Sequence, residues 1–121
     1  NMNKAIEIVQ KKKDIVIKEF TVVGYPHDGL FAHTWYLACD AVVDNNELKE
    51  LIDKVLCEIN DDYATERTSA LKDIFVEVHS NQVFLDFMEK KGKIGAMNKF
   101  PRVMKGKQKE EWEEFLAIVE A

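Results

Sequence analysis

The sequence of 121 residues is poor in the side chains that build disulfide frameworks and metal sites, with two cysteines and three histidines. Cys39 and Cys57 stand eighteen residues apart, and neither has a thiol or histidine nearby at the spacing of metal ligands. This usage predicts a reduced, cytoplasmic chain without disulfides. His27, His33 and His79 form no His-x-x-x-His array, so the sequence predicts no metal site.

Membrane and common catalytic signatures are also lacking. No apolar run approaches the ~20 residues that span a bilayer, and the amino terminus lacks the charged-then-apolar plan of a secretory signal. The chain contains no P-loop, no Gly-x-Gly-x-x-Gly and no Gly-x-Ser-x-Gly. With 46% hydrophobic residues, its length predicts a single domain over residues 1–121. The lack of a spanning run and the acidic net charge predict no membrane partner.

Acidic residues outnumber basic ones, and the charges are distributed unevenly along the chain. The net charge of -5 argues against general affinity for nucleic acid, which depends on Lys and Arg neutralising phosphates. Residues 90–109, however, hold eight of the 17 basic residues and no acidic one. We call this segment the basic edge. It is either a local anion-binding site or a solvated lysine loop.

The hydrophobic pattern alternates between helices and strands. A capping residue, Asp44, precedes apolar positions at helical spacing: Leu48, Leu51, Ile52, Val55, Leu56 and Ile59. Further helices are predicted over 3–13, from Ser80 to Gly92 and at the carboxyl end. Strands are predicted over 15–23, 33–39 and 74–78, with a short edge strand over 100–104. The pattern predicts an α+β fold with a small, mostly antiparallel sheet of three to four strands flanked by helices.

The sequence also predicts how some of these elements are connected and which side chains are buried. The first two strands are expected to form a hairpin with a long, flexible loop after Pro26. Helix 44–59 is expected to break around Asn60, because Asn and Asp are poor helix formers. Most aromatic side chains are expected in the core rather than on a base-stacking platform: Trp35, Tyr36, Phe75, Phe84, Phe87, Trp112 and Phe115.

Three segments carry a family resemblance. Gly92-Lys-Ile-Gly-Ala-Met-Asn-Lys-Phe-Pro-Arg102 resembles the Gly-Lys-Leu-Gly-Gly-Gln-Asn-Lys-Val-Pro-Arg segment of bacterial relatives of the plant auxin-responsive (Gretchen Hagen) acyl-acid amido synthetases. Residues 60–67, Asn-Asp-Asp-Tyr-Ala-Thr-Glu-Arg, are similar to the family's Asn-Ser-Asp-Tyr-Glu-Ala-Lys-Arg. His33-Thr34-Trp35 resembles its His-Glu-Trp strand start. The three segments occur in the family's order and indicate its small carboxy-terminal domain.

The resemblance implies a role within a larger enzyme. Full-length members adenylate a carboxylic acid with ATP and Mg²⁺ and then pass the acyl group to an amine such as an amino acid. Their small domain moves between the two half-reactions, against a large N-terminal adenylation domain that is normally part of the same chain. The present chain alone is therefore expected to be inactive and to bind no cofactor tightly.

The same resemblance implies roles for the residues of the basic edge. The family's lysine ahead of Pro-Arg reaches the ATP phosphates, and in this sequence that position is Lys99, the expected catalytic residue. Asn98, Pro101 and Arg102 are expected to support the nucleotide loop. Pro101 also stiffens the backbone beside two cations, which lowers the entropy cost of presenting a lysine to an anion. The other lysines of the basic edge are expected to be solvated.

Residues outside the basic edge are assigned a structural or interdomain role. Tyr63 and Arg67 lie four positions apart, and the spacing favours a structural hydrogen-bond pair on one helical face. His33 matches the family's strand start. Thr34 replaces the usual acid of that motif, which suggests a shifted substrate-side or interdomain contact.

A competing hypothesis needs no enzyme. In this interpretation the chain is a binding module whose basic edge docks an acidic protein or a nucleic acid, in a fold that superficially resembles RNA-binding α+β domains. The acidic net charge argues against nucleic acid as the partner.

Overall fold

A computed structural model describes residues 1–92 and 99–120 of the chain. The elements follow one another as α1 (Met2–Lys13), β1 (Glu19–His27), β2 (Leu30–Ala38), α2 (Asn45–Ile59), α3 (Asp61–Arg67), β3 (Leu71–His79), α4 (Asn81–Lys90), β4 (Val103–Met104) and α5 (Gly106–Glu120). The predicted α+β class is confirmed. Among the described helices, none is both long enough and apolar enough to cross a membrane.

The sheet has the strand order β3-β2-β1-β4. Among the strands of the described residues, only β1 and β2 pair antiparallel, whereas β2 with β3 and β1 with β4 pair parallel. The sheet is therefore mixed, where the sequence predicted a mostly antiparallel one. The reason is the connection from β2 to β3, because a crossover through α2 and α3 returns the chain to the end at which β2 began.

The β1–β2 hairpin is tighter than predicted. Both strands continue to the turn, so that His27 pairs with Leu30 and Pro26 pairs with Phe31. Asp28 and Gly29 have φ of 49° and 80°, and positive φ at both central residues is the geometry of a two-residue type I′ turn. The prediction of a long, flexible loop is wrong. Pro26 is tolerated because β4 pairs with β1 only at positions 22 and 23, which leaves Pro26 on an open edge.

Successive strand residues send their side chains to opposite faces, and each face carries its own core. Val22 and Trp35 belong to the first cluster, under α1, α2 and α3. Val23 and Tyr36 belong to the second, under α4 and α5. In the part of the chain that the structure describes, the sheet is thus covered by α1, α2 and α3 on one side and by α4 and α5 on the other.

Side-chain caps set the boundaries of α2 and α3; the sequence predicted the cap at Asp44 and a break at Asn60, but not that Asn60 caps the next helix. The Asp44 carboxylate accepts from the backbone N–H groups of Asn46 and Glu47 at 2.8 and 3.1 Å. Asn60 has extended backbone angles, and its side-chain oxygen accepts from Tyr63 N at 3.1 Å. Asn60 therefore ends α2 and caps α3, which places Tyr63 and Arg67 on a separate short helix.

Candidate functional site

The basic edge begins where α4 ends and continues into α5. Gly92 follows α4 with a φ of 72°, a left-handed conformation that favours glycine after a helix. Residues 93–98 lie outside the described part of the chain, and with them lies Asn98, which the sequence assigned to the nucleotide loop. Lys99 is exposed, whereas Phe100 is only 5% exposed.

Phe100 anchors Lys99 to the second core cluster. The Phe100 ring lies 4.8 Å from the ring of Phe84 and 5.3 Å from that of Trp112, measured between centroids. These aromatic contacts immobilise the residue that follows Lys99. Pro101 is half-buried directly after it. The lysine therefore projects toward solvent from a backbone that is held by packing.

Arg102 anchors the same segment on its other side. Its Nη1 donates to Glu19 Oε2 at 3.0 Å and to the Phe20 carbonyl at 3.2 Å. Its Nε donates to Asn3 Oδ1 at 3.2 Å, and the guanidinium lies over the Phe20 ring at 4.3 Å. The Arg102 carbonyl accepts from Val22 N at 2.8 Å. Arg102 thus joins the basic edge to α1 and β1 by planar, multidentate contacts that a lysine cannot reproduce.

Several other lysines of the basic edge contact groups of the chain itself, although Lys90 and Lys91 are exposed, as expected. Lys91 pairs with Glu111, and its ammonium holds the pKa of the Glu111 carboxyl below its ordinary value. Lys109 donates to the Gly24 carbonyl at 3.2 Å and lies over the Tyr25 ring. Lys90 lies over the Phe115 ring at 5.7 Å.

Tyr63 and Arg67 meet at a residue that the sequence did not single out, Asp53 of α2. Tyr63 Oη donates to Asp53 Oδ1 at 2.6 Å. Arg67 donates from Nε to Oδ1 at 2.9 Å and from Nη2 to Oδ2 at 3.2 Å. Its Nη1 donates to the carbonyls of Leu71 and Lys72, both at 2.8 Å. Burial, and then the hydrogen bond to Asp53, raise the pKa of the Tyr63 phenol.

These contacts tie α3 to α2 and to the start of β3. The hydrogen bond to Asp53 is the main cause that raises the pKa of Arg67. The sequence brought Tyr63 and Arg67 together through their spacing, but Asp53 lies ten and fourteen positions away in another helix. Its only sequence signal is an acidic residue beside the apolar stripe of α2, which is common on any amphipathic helix.

His33 and Tyr63 line one cavity of about 420 Å³ on the face that carries the first core cluster. Val103, Met104 and Lys105 also line it, so the cavity adjoins the end of the segment that begins at Lys99. Burial lowers the pKa of His33, and the negative charge of Glu66 only partly offsets this. The imidazole is therefore held neutral more strongly than an exposed histidine.

Thr34 projects to the opposite face of the sheet from His33. It is buried, and its hydroxyl donates to the Tyr25 hydroxyl at 3.1 Å. The predicted aromatic core is confirmed for Trp35, Tyr36 and others, while Phe75 is only half-buried. The Phe75 ring stacks at 6.5 Å from that of Tyr25 and lies under the Lys49 ammonium.

Similarity to known proteins extends over most of the chain. A family model described as the GH3 family C-terminal domain matches residues 1–108. None of the curated proteins compared matches the sequence.

Two solved structures share the fold. A GH3.15 acyl acid amido synthetase is 14% identical, with a TM-score of 0.66 over 97% of this chain. The structure named AtGH3.15 acyl acid amido synthetase in complex with 2,4-DB is 17% identical, with a TM-score of 0.64 over 96% of this chain. The present chain spans 23% of the length of each of these proteins.

Proposed function

This chain belongs to the GH3 C-terminal domain family, and we propose that it is the mobile C-terminal domain of an ATP-dependent acyl acid amido synthetase. Two structures of the same fold bear that enzyme's name, and the chain spans about a quarter of their length. In this proposal a large N-terminal adenylation domain, normally on the same chain, holds the carboxylic acid, the amino acid and most of the nucleotide site. The motif over 92–102 further suggests an enzyme of the bacterial type, and the free cysteines suggest a cytoplasmic one.

The observation that carries the proposal is the way in which Lys99 is presented. Its side chain is exposed on an acidic domain, while Phe100 is buried and Arg102 is bound to α1 and β1. A cation on a fixed backbone needs little reorganisation to meet a phosphate. We assign Lys99 the task of offsetting negative charge at the phosphates of ATP while the carboxylate attacks.

In this proposal the domain supplies only a small part of the nucleotide-binding site. ATP with Mg²⁺ supplies the phosphoryl electrophile and the leaving pyrophosphate. Within the described part of the 92–102 motif, Lys99 is the cation available to a phosphate, because the guanidinium of Arg102 is committed to Asn3, Glu19 and Phe20. Arg102 therefore acts as a positioning residue, and the domain alone is expected to bind ATP weakly.

The proposal is tested by comparing the full-length protein with the 121-residue chain. With ATP, Mg²⁺ and a panel of carboxylic acids and amino acids, the full-length protein should form an amide and release pyrophosphate. The isolated chain should do neither. Amide formation by the isolated chain, or no ATP-dependent reaction of the full-length protein with any acid of the panel, would contradict the proposal.

The competing hypothesis, docking of the basic edge onto an acidic protein or a nucleic acid, is less well supported. Lys91 is paired with Glu111, which offsets one positive charge of the edge, and the ammonium group of Lys109 is bonded to the Gly24 carbonyl of the chain itself. Titration with single-stranded RNA at two salt concentrations separates the hypotheses, because binding to phosphates weakens steeply with salt.

A further inference from the structure

A cluster of metal-ligating side chains lies where β3 and α5 end, and the proposed function makes no use of it. The cluster contains Glu77, His79 and Glu120, whose ligand atoms all lie within 4.8 Å of one another. We propose that these three side chains bind a divalent transition-metal ion of the zinc class. The sequence predicted no metal site because Glu120 is forty-one positions from His79, far beyond the spacing of any short metal motif.

Two of the three distances between the ligand atoms fit a tetrahedral site. His79 Nε2 lies 3.2 Å from Glu77 Oε1 and 3.6 Å from Glu120 Oε1. Zinc binds imidazole nitrogen and carboxylate oxygen at about 2.0–2.2 Å, so neighbouring ligands of a tetrahedral ion stand about 3.3–3.6 Å apart. The two pairs that involve the imidazole therefore already have nearly the separation that an ion between them requires.

The histidine is held rigidly in this position. Its side chain is only 10% exposed, and its ring stacks on that of Tyr36 at 6.3 Å. Its carbonyl accepts from Cys39 N at 2.9 Å, beside the β2–β3 ladder. Glu77 stands two positions earlier on the same strand and therefore on the same face. A site whose central ligand is fixed by packing loses little entropy when it binds an ion.

The local charge also favours a cation. Among the described residues, neither Glu77 nor Glu120 forms an ion pair with a lysine or arginine, and the last turn of α5 carries no basic residue. The carboxyl end of a helix is itself a region of negative potential.

The ligand set selects the class of metal. One imidazole nitrogen with two carboxylates suits zinc and similar transition-metal ions, whereas Mg²⁺ and Ca²⁺ prefer oxygen ligands alone. Three protein ligands leave one tetrahedral position for water. Because the ligands come from β3 and from the last turn of α5, a bound ion would also fix the end of α5 against the sheet.

Isothermal titration calorimetry of the chelator-stripped protein with zinc chloride tests the proposal. We expect one zinc ion per chain, and we expect His79→Gln and Glu120→Gln each to weaken its affinity by at least about tenfold. Glu120 is 54% exposed, so Glu120→Gln leaves the core intact even if His79→Gln does not fold. Glu114→Gln is the matched control, since Glu114 is an exposed glutamate on the same helix, and it should bind zinc as the wild type does.

Thermal unfolding gives a second measurement. Zinc should raise the Tm of the wild type and of Glu114→Gln, because a ligand that binds only the folded state stabilises it, and should leave the Tm of Glu120→Gln unchanged. The absence of zinc binding by the wild type would show that the imidazole merely bridges two carboxylates. That result, an unchanged zinc affinity in folded His79→Gln or Glu120→Gln, or equal affinity for Mg²⁺, would overturn the proposal.

Discussion

At the scale of single residues, Arg102 connects the sequence motif to the fold. The resemblance suggested that Arg102 supports a nucleotide loop. In the structure its guanidinium contacts Asn3, Glu19 and Phe20. These partners belong to α1 and β1, about eighty or more positions earlier in the chain. No local pattern predicts such a contact, because the fold alone brings the partners together.

We predict that Arg102→Lys destabilises the domain by about 1–2 kcal/mol although it keeps the charge. Lysine has no planar fork with which to contact Glu19 and Asn3 together while it stacks on Phe20. Urea unfolding measures the change. Lys107→Arg is the control, since Lys107 is an exposed residue of the basic edge. An unfolding free energy equal to that of the wild type would contradict the role given to Arg102.

His33 makes a prediction about pH. Burial lowers its pKa from the ordinary 6.5 in the folded state, so the unfolded chain binds a proton more readily. The contribution of His33 to stability is then complete above pH 6.5 and is lost as the pH falls from that value toward the lower pKa of the folded state.

Urea unfolding of the wild type and of His33→Gln between pH 7.5 and 5.5, a range chosen to bracket the ordinary pKa of about 6.5, checks this. The wild type should lose more stability over that range than the variant does. Equal losses in the two proteins would show that His33 does not contribute to the acid sensitivity.

At the scale of helices and strands, the sequence predicted most elements but not all of their pairing. The apolar stripe of α2, the cap at Asp44 and the poor helix formers from Asn60 onward are local signals, and the structure confirms the ends of α2 that they predict. The β1–β2 hairpin was harder to predict from the sequence. Pro26 appeared to end β1, whereas the strand continues through it along an edge that β4 leaves open.

The parallel pairing of β3 and the position of β4 depend on contacts between distant segments. A helical crossover between β2 and β3 could have suggested the parallel pair, since adjacent parallel strands require such a connection. The residues of the candidate site were also predicted only in part. Spacing and resemblance led to Lys99, Tyr63 and Arg67, whereas Asp53 and the contacts of Arg102 become visible only in the folded chain.

The junction of α2, α3 and β3 depends on Arg67. We predict that Arg67→Ala destabilises the domain by about 2–4 kcal/mol, because it leaves the partly buried carboxylate of Asp53 without its cation and removes two bonds to backbone carbonyls. Tyr63→Phe removes only the bond to Asp53 and should cost about 1–2 kcal/mol.

Urea unfolding of both variants tests this order, with Lys54→Ala as a control at an exposed site of α2. A smaller loss for Arg67→Ala than for Tyr63→Phe would contradict the role given to the guanidinium. If Arg67 and Tyr63 serve the fold in this way, neither variant should change catalysis in the full-length enzyme under conditions where it remains folded.

At the scale of the whole molecule, the chain combines a sheet covered on both faces with a short, strongly basic edge. The second core cluster buries Phe100, so that the exposed Lys99 stands next to a packed support. A chain that spans about a quarter of its structural relatives is expected to act against another domain. Movement of this small domain would then bring Lys99 to the phosphates for one half-reaction and remove it for the other.

The most direct measurement is ATP–pyrophosphate exchange by the full-length enzyme that carries Lys99→Ala. Loss of one cation that stabilises developing charge should slow exchange by ~10²–10³. Lys107→Ala, which removes an exposed lysine of the same basic edge, should exchange at nearly the wild-type rate. Wild-type exchange by Lys99→Ala would contradict the assignment of Lys99 to the phosphates of ATP.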